Sequence, residues 1–321
     1  MVKKLLLGLL TMIVLAIVVV GVILTRAHLA IRRERAPLPT DEAIVAASVA
    51  SDDFPVRLTW INTASQPMPR SVVLEPTRDP RPNDAYVMSH PAFVLEWTDG
   101  RLLLVDVGMN REGAIAFGKP IELLSGGQAL QPLAATAERL GNKASRVQGA
   151  IFTHLHLDHV GGVADLCRAV KHPVHVFQTE AQAERTNHTT SAGLALLKQQ
   201  QSCVEVTRLG GSPLLPVAGF PGVFVIAAGG HTPGSQLVIA FVKTADGVRR
   251  YLFTGDIVNN IDGVSYDIPK PYLYRLLLVP EDDVRQAQLR TFLRRQRDQN
   301  NFTLLVSHDQ RQLEQSGVPA W

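Results

Sequence analysis

The chain has 321 residues, 46% of them hydrophobic and 19% charged, enough for a real core and too apolar for a disordered protein. Its formal charge of +3 originates at the N-terminus: residues 1–42 hold six Lys+Arg against three Asp+Glu, and the remainder holds 26 of each. The neutral remainder lacks the basic excess with which sequence-independent nucleic-acid binders displace counterions, so no nucleic acid is expected as a partner.

Leu5 to Thr25 is a run of 21 residues without a charge. As a helix rising 1.5 Å per residue it would cross about 30 Å of hydrocarbon. A cleaved secretory signal is the alternative, since Lys3 and Lys4 suit its basic start. The run nevertheless exceeds the usual apolar region of about 7 to 15 residues, and no small-x-small cleavage site follows it. The expected organisation is an N-terminal tail (1–4), a transmembrane signal-anchor (5–25), a juxtamembrane linker that ends in a short helical Ala/Val stretch and holds no core (26–50), and one folded domain (51–321). Lys3 and Lys4 compete with Arg26, Arg32, Arg33 and Arg35 for the cytoplasmic side. The N-terminal position of the helix favours an exported domain, and the arginines favour the reverse; export is the orientation expected. The sequence leaves the oligomeric state open.

After Val56 the pattern turns to short β-type runs, beginning with Arg57 to Asn62. Pro67, Pro69, Pro76, Pro80 and Pro82 then exclude central strands and predict a loop crossing the surface. Ala92 to Trp97 and Leu102 to Val107 read as strands joined at Asp99-Gly100, a hairpin signal. Asp106, at the end of the second, is either a solvated turn residue or a carboxylate that orients a ligand histidine. His90, at a loop edge before the first, is a weaker candidate. Pro132 to Leu140 has the punctuation of a helix, stopped by Gly141.

The strand-like run Val147 to Phe152 leads into Thr153-His154-Leu155-His156-Leu157-Asp158-His159, followed by Gly161 and Gly162. Three imidazoles and a carboxylate in six positions are costly to bury unless a metal satisfies them. The two glycines are expected to let the next helix, Val163 to Val170, begin close to the metal. Val174 to Gln178 reads as a strand, and Thr179 to Gln201 as a helical region broken near Asn187 to Ala192. His172, His175 and His188 lie outside any ligand-type cluster. Cys167 and Cys203 are too few for a disulfide framework; they read as two buried apolar thiols, although an exported domain could oxidise them into one bridge.

Further candidates each follow a β-type run, as when loops at one sheet edge build a site. His231 sits in Gly229-Gly230-His231-Thr232-Pro233-Gly234 after Val223 to Ala227. Leu237 to Val242 and Tyr251 to Thr254 are the next strands, and Asp256 follows the second. His308 follows Thr303 to Val306. Between them, Ile261 to Asp283 carries Tyr266, Tyr272 and Tyr274 and reads equally as a lid or substrate wall and as packing between sheet and helix. Val284 to Asp298 reads as an amphipathic helix whose arginines, Arg285, Arg290, Arg294, Arg295 and Arg297, coat the solvent face.

His154, His156, Asp158, His159, His231, Asp256 and His308, in this order, resemble the metallo-β-lactamase superfamily, whose signature is H-x-H-x-D-H followed by later His, Asp and His. The resemblance covers about residues 55 to 315 and fills all seven ligand positions. It implies an α/β fold, a four-layer αββα sandwich with the metals at one edge of two sheets. It implies that His154, His156 and His231 hold one divalent ion and Asp158, His159 and His308 the other, with Asp256 bridging them. Zinc is the expected metal, with iron or manganese as alternatives. Two cations roughly 3.5 to 4 Å apart would supply a bridging hydroxide that attacks an acyl carbonyl, and Asp158 would pass the proton to the leaving group.

Certain positions narrow the branch. True β-lactamases of the superfamily usually have cysteine or serine where Asp256 stands, and oxygen-reducing diiron members have glutamate where His156 stands. The 52-residue spacing from Asp256 to His308 is too short for the inserted cap of the nucleases. Met88-Ser89-His90-Pro91, Leu104-Val105-Asp106-Val107-Gly108 and His308-Asp309 look most like N-acyl homoserine lactonase-type hydrolases. Some of those place a tyrosine where Asn259 stands here, a departure from the pattern; Tyr266, Tyr272 and Tyr274 in the following loop are the candidates for that hydroxyl. The expected function is hydrolysis of a lactone or ester of a small acyl substrate, with a glyoxalase II-like thioesterase as the alternative and a non-catalytic metal-binding scaffold as the remote one.

Overall fold

The structure is a computed structural model and describes residues 2–32 and 36–321; Arg33 and Arg35 of the basic cluster lie outside the described residues. Two mixed β-sheets form its centre. The first contains β1 (Arg57–Pro67), β2 (Val87–Glu96), β3 (Leu102–Val105), β4 (Gln131–Pro132), β5 (Val147–Ile151), β6 (Val174–Thr179) and β7 (Val204–Leu209), in the order β4-β1-β2-β3-β5-β6-β7. The second contains β8 (Leu215–Pro216), β9 (Val223–Ala227), β10 (Gln236–Thr244), β11 (Gly247–Gly255) and β12 (Phe302–Val306), in the order β12-β11-β10-β9-β8.

The burial of the strands explains the layering. β2 and β3 are buried along nearly their whole length, because both faces of the first sheet are covered. On one face, Phe93, Leu103 and Val105 meet Val225, Val238 and Phe253 of the second sheet. On the other, Val94, Leu102 and Leu104 pack with Val163, Leu166 and Leu197 from helices Val163–Ala169 and Ser191–Gln199. The outer face of the second sheet is covered by Leu289, Phe292 and Leu293 of helix Asp283–Asn300.

The hairpin at Asp99-Gly100 forms as expected, with β2 and β3 antiparallel and Gly100 in the left-handed region at φ +84°. Elsewhere the structure corrects the sequence reading. The segment before residue 50 does carry core: Thr40 caps helix Asp41–Ala47, whose Ile44 and Ala47 join the cluster under the second sheet. Helix formation between Pro132 and Leu140 is confined to Thr136–Leu140, because Gln131 and Pro132 pair as a strand with β1. Helix Arg111–Ser125 carried no signal that the sequence reading used.

The proline-rich segment after Pro67 is a strand-free loop with Pro69, Pro76, Pro80 and Pro82 exposed, as expected, but it is pinned to the domain by buried side chains. Arg70 is buried and grips Asp79 through two hydrogen bonds of 2.8 and 2.9 Å, and it reaches Asp262 at 2.7 Å. Val73 and Leu74 fill an apolar cluster with Ile268. The arginines of the long helix likewise do not all face solvent. Arg285 is buried and donates to the carbonyls of Ala228 and Ala36, and the buried Arg290 donates to Asp267. Cys167 and Cys203 are joined in a disulfide with Cα atoms 5.8 Å apart, so the reading as two free thiols is replaced.

Helix Val2–Ile31 is long and apolar enough to cross a membrane, and it is compatible with a signal peptide or a single-pass anchor. Its last turns pack on the domain, where Ala27 and Ile31 are buried.

Candidate active site

Most of the candidate ligands are delivered by segments that follow a strand end, while His90 lies within β2. β5 ends at Ile151, and His154 follows on a loop that turns into the short helix Leu157–Val160, which carries Asp158 and His159. Asp106, one residue past β3 at φ +58°, anchors this turn. Its carboxylate accepts from the Thr153 backbone N–H at 2.7 Å and from the Thr153 hydroxyl at 2.8 Å, and lies 2.8 Å from His159 Nδ1. Asp106 is thus an orienting carboxylate in position, not a solvated turn residue. Gly161 and Gly162 make room for backbone and not for a metal: a Cβ there would stand 2.5 Å from the Leu157 carbonyl and 2.7 Å from that of Val107.

β9 leads to His231, β11 to Asp256 and β12 to His308, all buried. Gly255, at φ +50°, lets the chain turn against the histidine loop, where a Cβ would meet that of Thr153 at 2.7 Å. The Asp256 carboxylate then sits among four imidazoles. Its oxygens lie 3.0 Å from His308 Nε2, 3.2 Å from His159 Nε2, 3.6 Å from His231 Nε2 and 3.7 Å from His154 Nε2. Asp158 lies 3.3 Å from His308 Nε2 and 3.6 Å from His159 Nε2.

The far nitrogen of several rings is occupied, which turns the near one toward the site. His231 Nδ1 is 2.6 Å from Glu281, and His308 Nδ1 is 2.7 Å from the Ser89 carbonyl. His156 is reversed: its Nε2 bonds the Thr189 hydroxyl at 2.9 Å, leaving Nδ1 for the site. Burial disfavours the charged imidazolium, holding the pKa of His154 and His231 below the ordinary imidazole range and taking that of His156 down to about 3, which favours the neutral, ligating form. Burial acts the same way on His159 and His308, but Asp106, Asp158 and Asp256 facing the first and Asp256 and Asp158 facing the second raise both.

These residues fit a metal centre. His154 Nε2, His159 Nε2, His231 Nε2 and Asp256 Oδ1 are buried and make no hydrogen bond among the described residues, a cost that cations would relieve. Ligand atoms of His154, His156, His231 and Asp256 lie within 4.8 Å of one another, as do those of His159, Asp256 and His308. Asp256 belongs to both sets, an arrangement consistent with a dinuclear site. A third set joins His90, Asp158 and His308, with His90 Nδ1 3.2 Å from Asp158.

The site opens into a cavity of about 600 Å³ whose floor includes His156, Asp158, Asp256 and His308. Met88, Phe117, Ile121, Leu124, Leu278 and Val279 give it apolar walls. Asn259 and Tyr274 line it as well, while Tyr266 and Tyr272 are exposed and outside it. The stretch from Ile261 to Asp283 is therefore cavity wall in part and packing in part. His175 and His188 are exposed and His172 is half-buried, and none of them belongs to a metal-capable group among the described residues.

Three further residues support the site and were not read from the sequence. Lys270 donates to Glu281 at 2.7 Å and to the Asp256 carbonyl at 2.5 Å, tying the loops of His231 and Asp256 together. Both side chains are nearly inaccessible, at 4% and 2% exposure. Tyr86 donates to the carbonyls of Asn259 and His308. The available signal was a lysine and a glutamate set among prolines and aliphatics, in Ile268-Pro269-Lys270-Pro271 and Val279-Pro280-Glu281.

The fold, with its site built from strand-end loops, defines a metal-dependent hydrolase of a recognisable class. The family model described as the metallo-beta-lactamase superfamily matches residues 85–308, and the chain belongs to that superfamily. A probable metallo-hydrolase of Mycobacterium tuberculosis is 27% identical over 235 residues, covering 66% of this chain and 72% of that one. Among solved structures, an N-acyl homoserine lactone hydrolase with the product N-hexanoyl-L-homoserine at its catalytic metal centre is similar with a TM-score of 0.59 and 17% identity. That match covers 82% of this chain and 96% of the other. The dizinc quorum-quenching lactonase AidC is similar with a TM-score of 0.52 and 15% identity, covering 80% of this chain and 90% of its own. At these identities the two lactonases speak for the fold.

Proposed function

We propose that the protein is a membrane-anchored dinuclear hydrolase that opens a lactone or ester bond of a hydrophobic acyl compound. The observation that carries this reading is the cavity itself, apolar on its walls and metal-ligating on its floor. The lactonases to which the fold is similar are in keeping with it.

His154, His156 and His231 would hold one cation and Asp158, His159 and His308 the other, with Asp256 shared between them. Bound there, two divalent ions, zinc in the first instance, would supply Lewis-acid polarisation of the acyl carbonyl and an activated water. The chain's own groups do the rest. Glu281 and Asp106 set the rings of His231 and His159, and the aliphatic walls take the acyl chain and exclude water. Asp158 Oδ2, held toward the floor by His90 Nδ1, is ionised and would take the proton released by the attacking water and pass it to the leaving oxygen. Tyr274, on the cavity wall, takes the place of the tyrosine that Asn259 replaces and donates to the substrate carbonyl.

Two further features support this location. The Cys167–Cys203 disulfide supports an oxidising compartment, and hence an exported domain. Burial of Ala27 and Ile31 against the domain supports retention of the N-terminal helix as an anchor.

The test is a substrate panel on the full-length chain loaded with zinc, manganese or iron. Acyl homoserine lactones and aryl esters are expected to be hydrolysed faster than matched thioesters. Faster thioester turnover would move the activity to the glyoxalase II-like class, and no turnover of any acyl substrate at full metal occupancy would leave a metal-binding scaffold.

A further inference from the structure

The cavity mouth carries large apolar side chains that the domain does not cover. Leu124 and Leu278 line the cavity and are nevertheless 70% and 51% exposed, so they stand at its opening. Leu123, beside the first, is 84% exposed; Leu273 and Leu277, on the same segment as the second, are 64% and 48% exposed. Such a concentration of bare leucines is unfavourable in water and marks a contact surface.

The end of the N-terminal helix says what covers it. His28 Nε2 lies 3.1 Å from the carbonyl of Leu276, in the turn Tyr274–Leu278. His28 is three residues beyond Thr25, where the charge-free run ends, a rise of about 4.5 Å. If Leu5 to Thr25 crosses the hydrocarbon, the Leu273–Leu278 segment therefore lies at the depth of the headgroups on the side where the domain emerges. Arg26 and Arg32 are exposed on the same helix end, placed for lipid phosphates.

We propose that this rim, formed by Leu123, Leu124, Leu273, Leu277 and Leu278, rests in the interface of a phospholipid bilayer, so that the cavity opens to the membrane and takes an acyl substrate from it. The proposal rests on the anchored, acyl-hydrolase reading above. It specifies the substrate as one that partitions into the bilayer, with a chain long enough to stay in lipid while its carbonyl reaches the floor of the cavity.

The experiment uses the full-length chain in phosphatidylcholine nanodiscs with nitroxide labels on Leu277→Cys, Leu273→Cys, Val19→Cys and Val206→Cys, the native cysteines being joined in a disulfide. Collision with oxygen, which enriches in lipid, is compared with collision with a water-soluble nickel chelate. Labels at 19, 273 and 277 are expected on the lipid side and the label at 206, on β7, in water. Lipid exposure at 19 with 273 and 277 in water would overturn the proposal, and dipolar broadening between the labels at 277 would then assign the rim to a second copy of the chain. Water exposure at 19 would instead remove the anchor on which the proposal rests.

A second readout separates the lipid contact from the chemistry. The double variant Leu273→Asp/Leu277→Asp, which alters no cavity-lining residue, is expected to lose about tenfold or more of its turnover on a long-chain acyl lactone in vesicles. Its turnover of a short soluble lactone stays unchanged. Equal loss on both substrates, or none on either, overturns the proposal. If the parent chain hydrolyses neither, the hydrolase reading has failed and the label depths alone decide the membrane contact.

Discussion

The carboxylate of Asp106 lies 2.8 Å from His159 Nδ1 while its other contacts hold the backbone and hydroxyl of Thr153. One side chain thereby orients a ligand ring and braces the turn that carries three more ligand candidates. Asp106→Asn keeps the shape and tolerates the left-handed backbone, but weakens the acceptor. Affinity for one of the two metals is expected to fall about 10- to 100-fold, as for other groups that orient metal ligands. Competition with a chromophoric chelator measures it, and wild-type affinity at both sites would show that Asp106 only braces the turn.

Lys270 and Glu281 form a buried ion pair 2.7 Å apart. Glu281→Gln leaves the lysine without its counter-charge, and Lys270→Met leaves the glutamate with His231 alone. Each single variant should lose on the order of 3–5 kcal/mol, the usual cost of breaking a buried pair by removing one partner. The double variant is expected to lose less than the two singles added together. Denaturant unfolding of the four proteins tests this, and simple additivity would mean that the pair is not coupled.

Asp79 makes stability depend on pH. The Arg70 hydrogen bonds hold its carboxyl below the ordinary aspartate range, against the effect of burial. A carboxyl depressed on folding contributes stability above its unfolded value and loses it as pH falls through its folded value. The stability gap between the parent and Asp79→Asn should thus be full at neutral pH and narrow on acidification below the ordinary aspartate range. A gap constant from neutral to strongly acid pH would assign the effect of Asp79 to packing.

The Cys167–Cys203 disulfide closes a separation of 36 residues. Replacing both cysteines by alanine is expected to cost about 2–4 kcal/mol in denaturant unfolding. In intact cells, a thiol reagent should label neither cysteine unless a reductant is added first. Labelling without reductant would place the domain in a reducing compartment and contradict export.

The metal-binding candidates were legible because their chemistry is local: His154, His156, Asp158 and His159 share one turn, and His231, Asp256 and His308 each follow an apolar run. Strand positions were legible for the same reason, the burial of β2, β3 and β10 being written in their composition. What was missed depends on contacts between distant segments. Arg70 reads as a loop arginine until Asp79 and Asp262 are brought around it, and Arg285 reads as a surface residue until the carbonyls of Ala228 and Ala36 meet it. Lys270 and Glu281 are of the same kind: nothing in their own neighbourhood says that they converge behind His231. Ile44 stayed hidden because a seven-residue helix shows too little of its period to declare a buried face.

The central claim is that Asp256 joins two cation sites in one centre. Metal analysis of the full-length protein, purified without chelators and reconstituted with zinc, tests it most directly. About two zinc ions per chain are expected for the parent, and a loss of at least one for Asp256→Ala. One ion or fewer in the parent, or two retained in Asp256→Ala, would contradict the account.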